Sequence, residues 1–213
     1  SNSYSYTADL PQGMLTFDGV NDFVDISEVK LVDDAVDDYT MSMWFNANTI
    51  EDYENLIAYS NFDEASVEPF TGLSFFSNNI RFAKRNDSAT ELLIIDGPSI
   101  QTGTWYHVAI TKSGSNYVLY LDGQEVNQAT LVSSVSHTRS TVLLGATPAG
   151  NSGLEQVTGY FDGSIDEVKL WNDARTASEI LADMYEKYPS VDDNLEAYYS
   201  FDHTSGDLLL DES

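Results

Sequence analysis

The fold of this 213-residue chain is decided by two segments, Met14-Leu-Thr-Phe-Asp-Gly-Val-Asn-Asp-Phe-Val-Asp-Ile26 and Tyr160-Phe-Asp-Gly-Ser-Ile-Asp-Glu-Val-Lys-Leu-Trp171. Each segment has an aromatic residue, then Asp-Gly, then a second acidic residue a few positions further on. Asp-Gly between alternating apolar residues marks a tight turn between strands. We therefore predict that the two segments open and close one β-rich region.

If the two Asp-Gly turns lie side by side, they gather several oxygen-bearing side chains into one corner. Ca²⁺ prefers such ligands and binds about six to eight oxygens from carboxylates and turn carbonyls. A carboxylate inside the second strand needs a partner, whereas Glu167 is expected on the opposite face, in solvent. The alternative, that the turn aspartates only stabilise their own turns, stays open. The predicted metal ligands are Asp18, Asn21, Asp22, Asp162 and Asp166.

The composition excludes several classes of protein. With 35 acidic and 9 basic residues, the formal net charge is −26, which repels nucleic acids and anionic membranes. The absence of cysteine excludes disulfides, thiolate metal sites and cysteine catalysis. No apolar run of about 18 residues occurs, so no membrane insertion is expected. The 42% hydrophobic content is ample for a core, and we interpret the chain as a module of a longer polypeptide.

Short alternating runs, separated by Gly, Asn, Asp and Ser, follow one another along most of the chain. This spacing predicts an all-β fold, a two-sheet antiparallel β-sandwich. One short C-terminal helix is expected, because Thr176-Ala-Ser-Glu179 forms a capping box ahead of an apolar face. We expect this helix to end before Pro189 and to pack against an edge of the sandwich.

Five segments in order resemble a known family: Leu15–Ile26, Tyr39–Phe45, Gly103–Thr111, Val118–Gly123 and Phe161–Val168. Together they resemble the laminin G-like, concanavalin A-like jelly-roll domains of bacterial surface and secreted proteins. The resemblance covers roughly residues 13–185. It implies a two-sheet sandwich, a structural Ca²⁺ where the first and last strands meet, and binding of glycans or proteins rather than catalysis.

The segment Tyr198-Tyr-Ser-Phe-Asp202 departs from the family pattern, because such domains commonly begin with a strand of this form. Either this strand starts the next module of the chain, or it folds back and supplies an edge strand to this one. We favour the second arrangement, since an unpaired apolar edge at the N-terminal strands would be a liability. The expected organisation is a single laminin G-like domain over residues 1–213, with 195–202 as an edge strand.

Candidate binding residues lie in loop-like segments. Asn61, Asp63 and Glu64 suggest a ligand-facing loop, with a merely solvated loop as the alternative. Exposed aromatic residues could stack on sugar rings, with core filling as the alternative. The aromatic residues in question are Tyr4, Tyr6, Tyr53, Phe62 and Phe70.

Catalysis finds no support in the motifs. Glucanases of this fold need paired carboxylates on one strand face, and no Glu-x-Asp-x-Glu strand is present. His107 lies in an apolar strand and is expected to be a core residue.

These patterns predict a non-catalytic, Ca²⁺-dependent binding module of a large extracellular adhesin or secreted multidomain protein. The predicted setting is a bacterial cell surface, with neighbouring modules and a glycan or a cell-surface protein as partners. A structural spacer without a ligand, and a carbohydrate-active enzyme, are the alternatives. The spacer predicts no binding groove, the binder predicts exposed aromatic and acidic groups at a rim of loops, and the enzyme predicts paired carboxylates in a cleft.

Overall fold

The structure, a computed structural model, describes residues 13–29, 38–60, 70–85, 92–131, 141–148, 157–186, 193–202 and 211–213. Within these ranges the chain forms strands and one helix. In chain order they are β1 (Leu15–Asp18), β2 (Val24–Asp25), β3 (Tyr39–Ala47), β4 (Asn55–Ser60), β5 (Phe70–Phe76), β6 (Asn79–Arg85), β7 (Leu92–Ser99), β8 (Trp105–Ser113), β9 (Asn116–Leu121), β10 (Gln124–Thr130), β11 (Thr141–Leu144), β12 (Thr147–Pro148), β13 (Val157–Thr158), β14 (Asp162–Trp171), α1 (Ala177–Asp183) and β15 (Leu195–Tyr199).

Two antiparallel sheets form the body of the molecule. The seven-stranded sheet has the order β1-β14-β3-β8-β9-β10, and β15 also pairs with β14. The six-stranded sheet has the order β2-β11-β4-β5-β6-β7, and β12 and β13 form a small third sheet. The core lies between the two large sheets, where Phe45 contacts Phe75 and Phe82 stacks on Tyr117, each pair with ring centroids 5.7 Å apart. The predicted all-β, two-sheet antiparallel sandwich with one short helix is confirmed.

Helix α1 covers the outer face of the seven-stranded sheet. Its capping box forms as predicted, with Thr176 as N-cap and Glu179 closing the box. Ile180 packs against Ala109 and Tyr120 of two inner strands, so the helix covers a sheet face rather than an edge of the sandwich. The indole Nε1 of Trp44 donates to the carbonyl of Met184 at 2.9 Å.

The end of α1 is fixed by a buried lysine. The ammonium of Lys169, on β14, donates to the backbone oxygens of Asp183 and Glu186, each at 2.7 Å. The last carbonyls of a helix lack intrahelical hydrogen-bond donors. Here the Lys169 ammonium is the donor to the carbonyl of Asp183. The helical residues therefore end at Asp183, well before Pro189.

A β-bulge overturns the prediction that Glu167 lies in solvent. The pairing of β14 with β3 shifts between Asp166 and Lys169, and Glu167 has a φ of 51°. A bulge breaks the alternation of faces along a strand, and Glu167 is buried. Its carboxylate accepts a hydrogen bond from the Tyr198 hydroxyl at 2.8 Å and lies 3.6 Å from the Lys169 ammonium.

One edge of β14 is shared by two strands from opposite ends of the chain. β1 pairs with residues 162–165 and β15 with residues 168–171. The two strands meet where the Gly13 amide donates to Asp202 Oδ1 at 3.0 Å. The Glu212 amide donates to the carbonyl of Tyr198 at 2.9 Å, so residues 211–213 bond the outer side of β15. In this structure the C-terminal strand β15 is thus a strand of the seven-stranded sheet.

Candidate functional site

The two Asp-Gly turns lie next to each other, because Asp18 is the register partner of Asp162 in the β1–β14 pair. Asp18 Oδ1 accepts hydrogen bonds from the amides of Val20 at 2.8 Å and Asn21 at 3.3 Å. These bonds lower the pKa of the Asp18 carboxyl, the bond from Val20 most. Asp22 Oδ2 accepts in turn from the Asp18 amide at 3.1 Å. The structure therefore brings Asp18, Asn21, Asp22 and Asp162 into one acidic corner.

Glu54 also belongs to this acidic corner, although no motif in the sequence points to it. The Thr49 hydroxyl donates to Glu54 Oε1 at 3.0 Å and lies 3.5 Å from Asp162 Oδ2, so two carboxylates share one hydroxyl. The amide of Asn48 donates to Asp162 Oδ1 at 2.9 Å. Burial raises the pKa of the Glu54 carboxyl, and the charge of Asp162 adds to this effect.

Asp166 does not belong to the acidic corner. It lies four residues further along β14, opposite Trp44, which is about 13 Å of extended strand from Asp162. Its carboxylate is fully buried, and Oδ1 accepts from the Glu167 amide at 2.8 Å within the bulge. The strand register thus removes Asp166 from the ligand set that the sequence suggested.

The acidic corner has the negative charge that would attract a cation, but its carboxylates are not arranged as the ligands of a metal ion. Its carboxylates accept hydrogen bonds from amides and a hydroxyl, which fits the turn-stabilising alternative. Among the described residues, no group of three or more His, Asp or Glu side chains is placed to hold a metal ion. A Ca²⁺ ion at this corner stays a prediction. The candidate ligand-binding residues Asn61, Asp63 and Glu64 lie outside the described residues.

A pocket of about 440 Å³ opens on the outer face of the six-stranded sheet. Alternate residues of β6 point outward, since Ile80 and Phe82 belong to the core. On β5, Phe70 and Ser74 line the pocket. The small β12–β13 sheet supplies one wall, and β4 and β7 complete the lining. The lining residues are Tyr53, Asn55, Ser60, Phe70, Ser74, Arg81, Ala83, Arg85, Ile94, Thr147, Pro148 and Thr158.

Arg81 is held rigidly in this pocket. Its Nε and Nη2 donate to the two carboxylate oxygens of Asp96 at 2.6 and 3.0 Å. The guanidinium carbon lies 3.9 Å from the centroid of the Phe76 ring, a cation–π contact. The side chain is only 13% exposed. A guanidinium has five N–H groups, and those that do not bond Asp96 have no partner among the described residues.

Two buried polar atoms in the lining lack a hydrogen-bond partner within the described part of the chain. They are Oδ1 of Asn55 and Oγ1 of Thr147. The Asn55 amide nitrogen donates to the carbonyl of Tyr53 at 2.6 Å, which fixes the orientation of its oxygen. Polar atoms buried this deeply are usually satisfied.

Tyr53 forms an aromatic shelf at the rim of the pocket. Its side chain is 61% exposed, and its ring centroid lies 5.4 Å from that of Phe76. Gly159, with a φ of +59°, lies so close to Tyr53 and Asn55 that a Cβ there would collide with both. Tyr53 and Phe70, two of the five aromatic residues that the sequence suggested as sugar-stacking candidates, therefore lie at this pocket.

Sequence reasoning missed Arg81 and Arg85 as candidate site residues. A signal was present, because two of only nine basic residues stand four positions apart on one face of an alternating strand. The same pattern occurs on any solvated strand face. Only the pocket shows that this face is a candidate binding site.

A second polar group is buried between the seven-stranded sheet and α1. It contains Lys169, Glu167, Tyr198 and His107, all almost fully buried. Burial, with the charge of Lys169 adding to it, lowers the pKa of His107 to about 3. The imidazole therefore stays neutral at physiological pH and packs edge-on against Trp44, with ring centroids 5.4 Å apart. This group holds the helix on the sheet.

The fold and the site define a class of protein: a two-sheet β-sandwich with a pocket on one outer sheet face. A family profile described as "Concanavalin A-like lectin/glucanases superfamily" matches residues 18–181. The chain belongs to this family, which confirms the laminin G-like, concanavalin A-like resemblance.

Solved structures share the fold at low sequence identity. The chain resembles "Ruminococcus gnavus IT-sialidase CBM40 bound to alpha2,3 sialyllactose" with a TM-score of 0.67 and 16% identity, over 80% of this chain and 95% of that one. It also resembles the K499G mutant of NanB sialidase from Streptococcus pneumoniae, with a TM-score of 0.68 and 19% identity, over 79% of this chain and 27% of that one.

A third structure is domain 4 of AbnA, a GH43 extracellular arabinanase from Geobacillus stearothermophilus, in complex with arabinotriose. Its TM-score is 0.58, with 18% identity over 80% of this chain and 75% of that one. Among curated proteins, Pappalysin-1 of Mus musculus is 28% identical over 109 residues. That match covers 48% of this chain and only 6% of Pappalysin-1. These likenesses support the fold.

Proposed function

We propose that this chain is a non-catalytic glycan-binding module and that its binding site is the pocket on the six-stranded sheet. The observation that carries the proposal is the combination of groups in that pocket. Arg81 offers N–H donors, Phe70 and Ile94 offer apolar surface, and Tyr53 offers an exposed ring. Sugars need this mixture, because they present many hydroxyls around an apolar ring face.

The lining argues for binding rather than hydrolysis. Glycosidases place two carboxylates on either side of the scissile bond. The described residues that line this pocket include no Asp or Glu. The comparisons support the same function, since two of the similar modules are described with sialyllactose and arabinotriose bound.

The setting that we propose is an extracellular one, in a bacterial adhesin or a secreted multidomain protein, with a glycan or a cell-surface protein as partner. The net charge of −26 argues against nucleic acids and anionic membranes. In the described part of the chain, no helix is long and apolar enough to cross a membrane.

Replacement of Tyr53 by alanine tests the proposed pocket. Glycan binding by such shallow sites is typically weak, with a Kd of about 10⁻⁵ to 10⁻³ M, roughly −7 to −4 kcal/mol. We expect Tyr53→Ala to weaken binding of the best glycan by about tenfold, or about 1.4 kcal/mol, because the ring stands exposed at the pocket rim. A glycan array identifies that glycan, and isothermal titration calorimetry measures the change.

Tyr185→Ala is the matched control for this experiment. Tyr185 is also an exposed tyrosine, but it follows α1, on the opposite side of the sandwich. Its replacement should leave glycan affinity unchanged. No binding to any glycan at high protein concentration would contradict the proposed function, and equal losses in the two variants would contradict the proposed site.

Calcium dependence is a second part of the proposal. The facing carboxylates of Asp18 and Asp162, with Glu54 close by, concentrate negative charge that a cation would offset. A cation bound only to the folded state adds about 2.7 kcal/mol at a hundredfold excess over its Kd. That free energy corresponds to about 5–10 °C for a chain of this size. We therefore expect EGTA to lower the melting temperature by that amount.

The effect should be absent in Asp162→Asn, because that change removes one charge from the corner and keeps the shape of the side chain. Asp166→Asn is the matched control, since it lies outside the corner and should keep the response to EGTA. A melting temperature of the unaltered protein that does not respond to EGTA would contradict the calcium site.

A further inference from the structure

The backbone of Tyr53, at the rim of the pocket, has a conformation that residues with side chains rarely adopt. Its φ is +71°, in the left-handed region. This conformation is strained for a bulky residue, because the Cβ crowds the following carbonyl oxygen. Strained residues persist where the surrounding structure fixes them, and they cluster at sites that hold ligands. On the basis of the proposed glycan binding, we infer that the strained backbone of Tyr53 holds its ring as a fixed platform on which a six-membered sugar ring stacks.

Contacts on both sides keep the Tyr53 backbone in this conformation. Its amide donates to the carbonyl of Phe75 at 2.8 Å, and its carbonyl accepts from Asn55 Nδ2 at 2.6 Å. The Phe75 amide donates to the carbonyl of Glu54 at 3.1 Å, so the turn before β4 is bonded to the end of β5 in both directions. Gly159 lies so close to the Tyr53 carbonyl that no side chain fits between them. The positive φ is therefore set by the neighbouring strands and not by the tyrosine side chain.

The fold itself gives no reason for a tyrosine at this position. A turn residue with a positive φ is accommodated best by glycine, and next best by asparagine. The Tyr53 side chain is 61% exposed, so its burial contributes little to the core. Natural proteins break such local rules mainly at functional sites. We therefore attribute the tyrosine to binding rather than to folding.

The ring of Tyr53 is supported from below as well. Its centroid lies 5.4 Å from that of Phe76, with the two planes tilted by 58°. The Phe76 ring in turn lies 3.9 Å from the guanidinium carbon of Arg81, which Asp96 holds in a fork. These four side chains form a row across β7, β6 and β5 to the turn before β4. A platform that is fixed in advance loses little conformational entropy when a ligand binds.

A flat aromatic platform favours a ligand with a flat apolar face. A pyranose ring with equatorial hydroxyls has such a face, because its axial C–H groups point to the two faces and its hydroxyls lie at the edge. Furanose rings are smaller and puckered, and their hydroxyls project towards the faces. Phe70 and Ile94 add apolar surface in the same pocket, and the N–H groups of Arg81 that do not bond Asp96 suit hydroxyls at the ring edge.

Sugar affinity tests the class of ligand. Isothermal titration calorimetry on the full chain compares the methyl glycosides of cellobiose and lactose, which are built from pyranose rings, with that of arabinofuranobiose. We expect at least one of the two pyranosides to bind about tenfold or more tightly than the furanoside. Tyr53→Phe keeps the ring and should bind that pyranoside within about twofold of the unaltered protein, whereas Tyr53→Ala and Tyr53→Gly should each lose about tenfold.

Melting temperatures test the strain independently of any ligand. Alanine ordinarily gives a more stable protein than glycine, because glycine loses more conformational freedom on folding. At position 53 we expect the reverse order, with Tyr53→Gly melting about 2–4 °C above Tyr53→Ala, since only glycine relieves the positive φ. Both variants lack the ring, so its loss cancels in this comparison.

Ser77 provides the matched control. It is an exposed residue with a φ of 52° in the turn between β5 and β6, outside the pocket lining. Ser77→Gly should also melt above Ser77→Ala, but both variants should bind the pyranoside as the unaltered protein does.

The outcomes separate the platform from the proposed function. A Tyr53→Gly variant that melts at or below Tyr53→Ala would overturn the strain. Equal affinity for the three glycosides, tighter binding of the furanoside, or no binding of either pyranoside while another glycan binds would overturn the ligand class and leave glycan binding intact. Equal losses of affinity in the Ser77 and Tyr53 variants would overturn the role of the Tyr53 ring. Failure of every glycan on a broad array would overturn the proposed function itself.

Discussion

We expect deletion of residues 190–213 to lower the free energy of unfolding by about 5 kcal/mol, because it removes strand β15. Ala197, Tyr198 and Tyr199 of this strand are buried. Burial of each large apolar side chain contributes about 1.5–3 kcal/mol, and the ladder with β14 is lost as well. Since domains of this kind are stable by about 5–15 kcal/mol, the 1–189 chain should be largely unfolded. Urea unfolding followed by tryptophan fluorescence measures the loss.

Point variants test the contribution of β15 to stability without shortening the chain. Tyr199→Ala should cost about 3 kcal/mol or more, as large-to-small changes in cores do. Tyr185→Ala removes an exposed tyrosine and should cost about 1 kcal/mol or less. A 1–189 chain that melts like the full chain would show that β15 adds nothing to this sandwich.

Features that depend on neighbouring residues in sequence could be predicted well. Alternation of apolar residues marks β3 and β8 as strands, and the Thr176–Glu179 capping box forms as the sequence indicates. Both signals act over a few residues, so no knowledge of tertiary structure is needed to interpret them.

Features that depend on register were predicted less well. The bulge at Glu167 inserts a residue into the alternation, and nothing in the local sequence marks it, because glutamate at a positive φ has no compositional signature. The same register places Asp166 away from the Asp-Gly turns. An aspartate that is near a turn in sequence is therefore near it in space only when few strand residues separate the two.

The pocket lay beyond sequence reasoning for a further reason. Arg81 and Asn55 stand on different strands, and the alternation of β6 indicates which face Arg81 takes but not what lies beside it. The unsatisfied oxygen of Asn55 follows from the bond of its amide nitrogen to Tyr53, which is a tertiary contact. Burial of a polar atom without a partner is visible only in three dimensions.

We expect replacement of Lys169 by methionine to cost about 3–5 kcal/mol of stability, the range observed when one partner of a buried ion pair is removed. The side chain is 2% exposed, and burial lowers the pKa of its ammonium, partly offset by the charge of Glu167. Methionine fills a similar volume but leaves Glu167 buried without this cation. The carbonyls of Asp183 and Glu186 also lose their donor, so the end of α1 loosens.

The double variant Lys169→Met/Glu167→Gln separates the lost cation from the lost packing. Glutamine is neutral and still accepts the Tyr198 hydroxyl bond, so the double variant should be more stable than Lys169→Met alone. The coupling energy from this cycle should fall within about 0.5–3 kcal/mol, as for other residues in one polar network. Chemical denaturation of the four proteins gives that energy.

Trp44 fluorescence reports whether α1 stays docked, because the indole donates to the carbonyl of Met184. A Lys169→Met variant within about 1 kcal/mol of the unaltered protein, or a coupling energy near zero, would show that the ammonium does not hold the helix on the sheet.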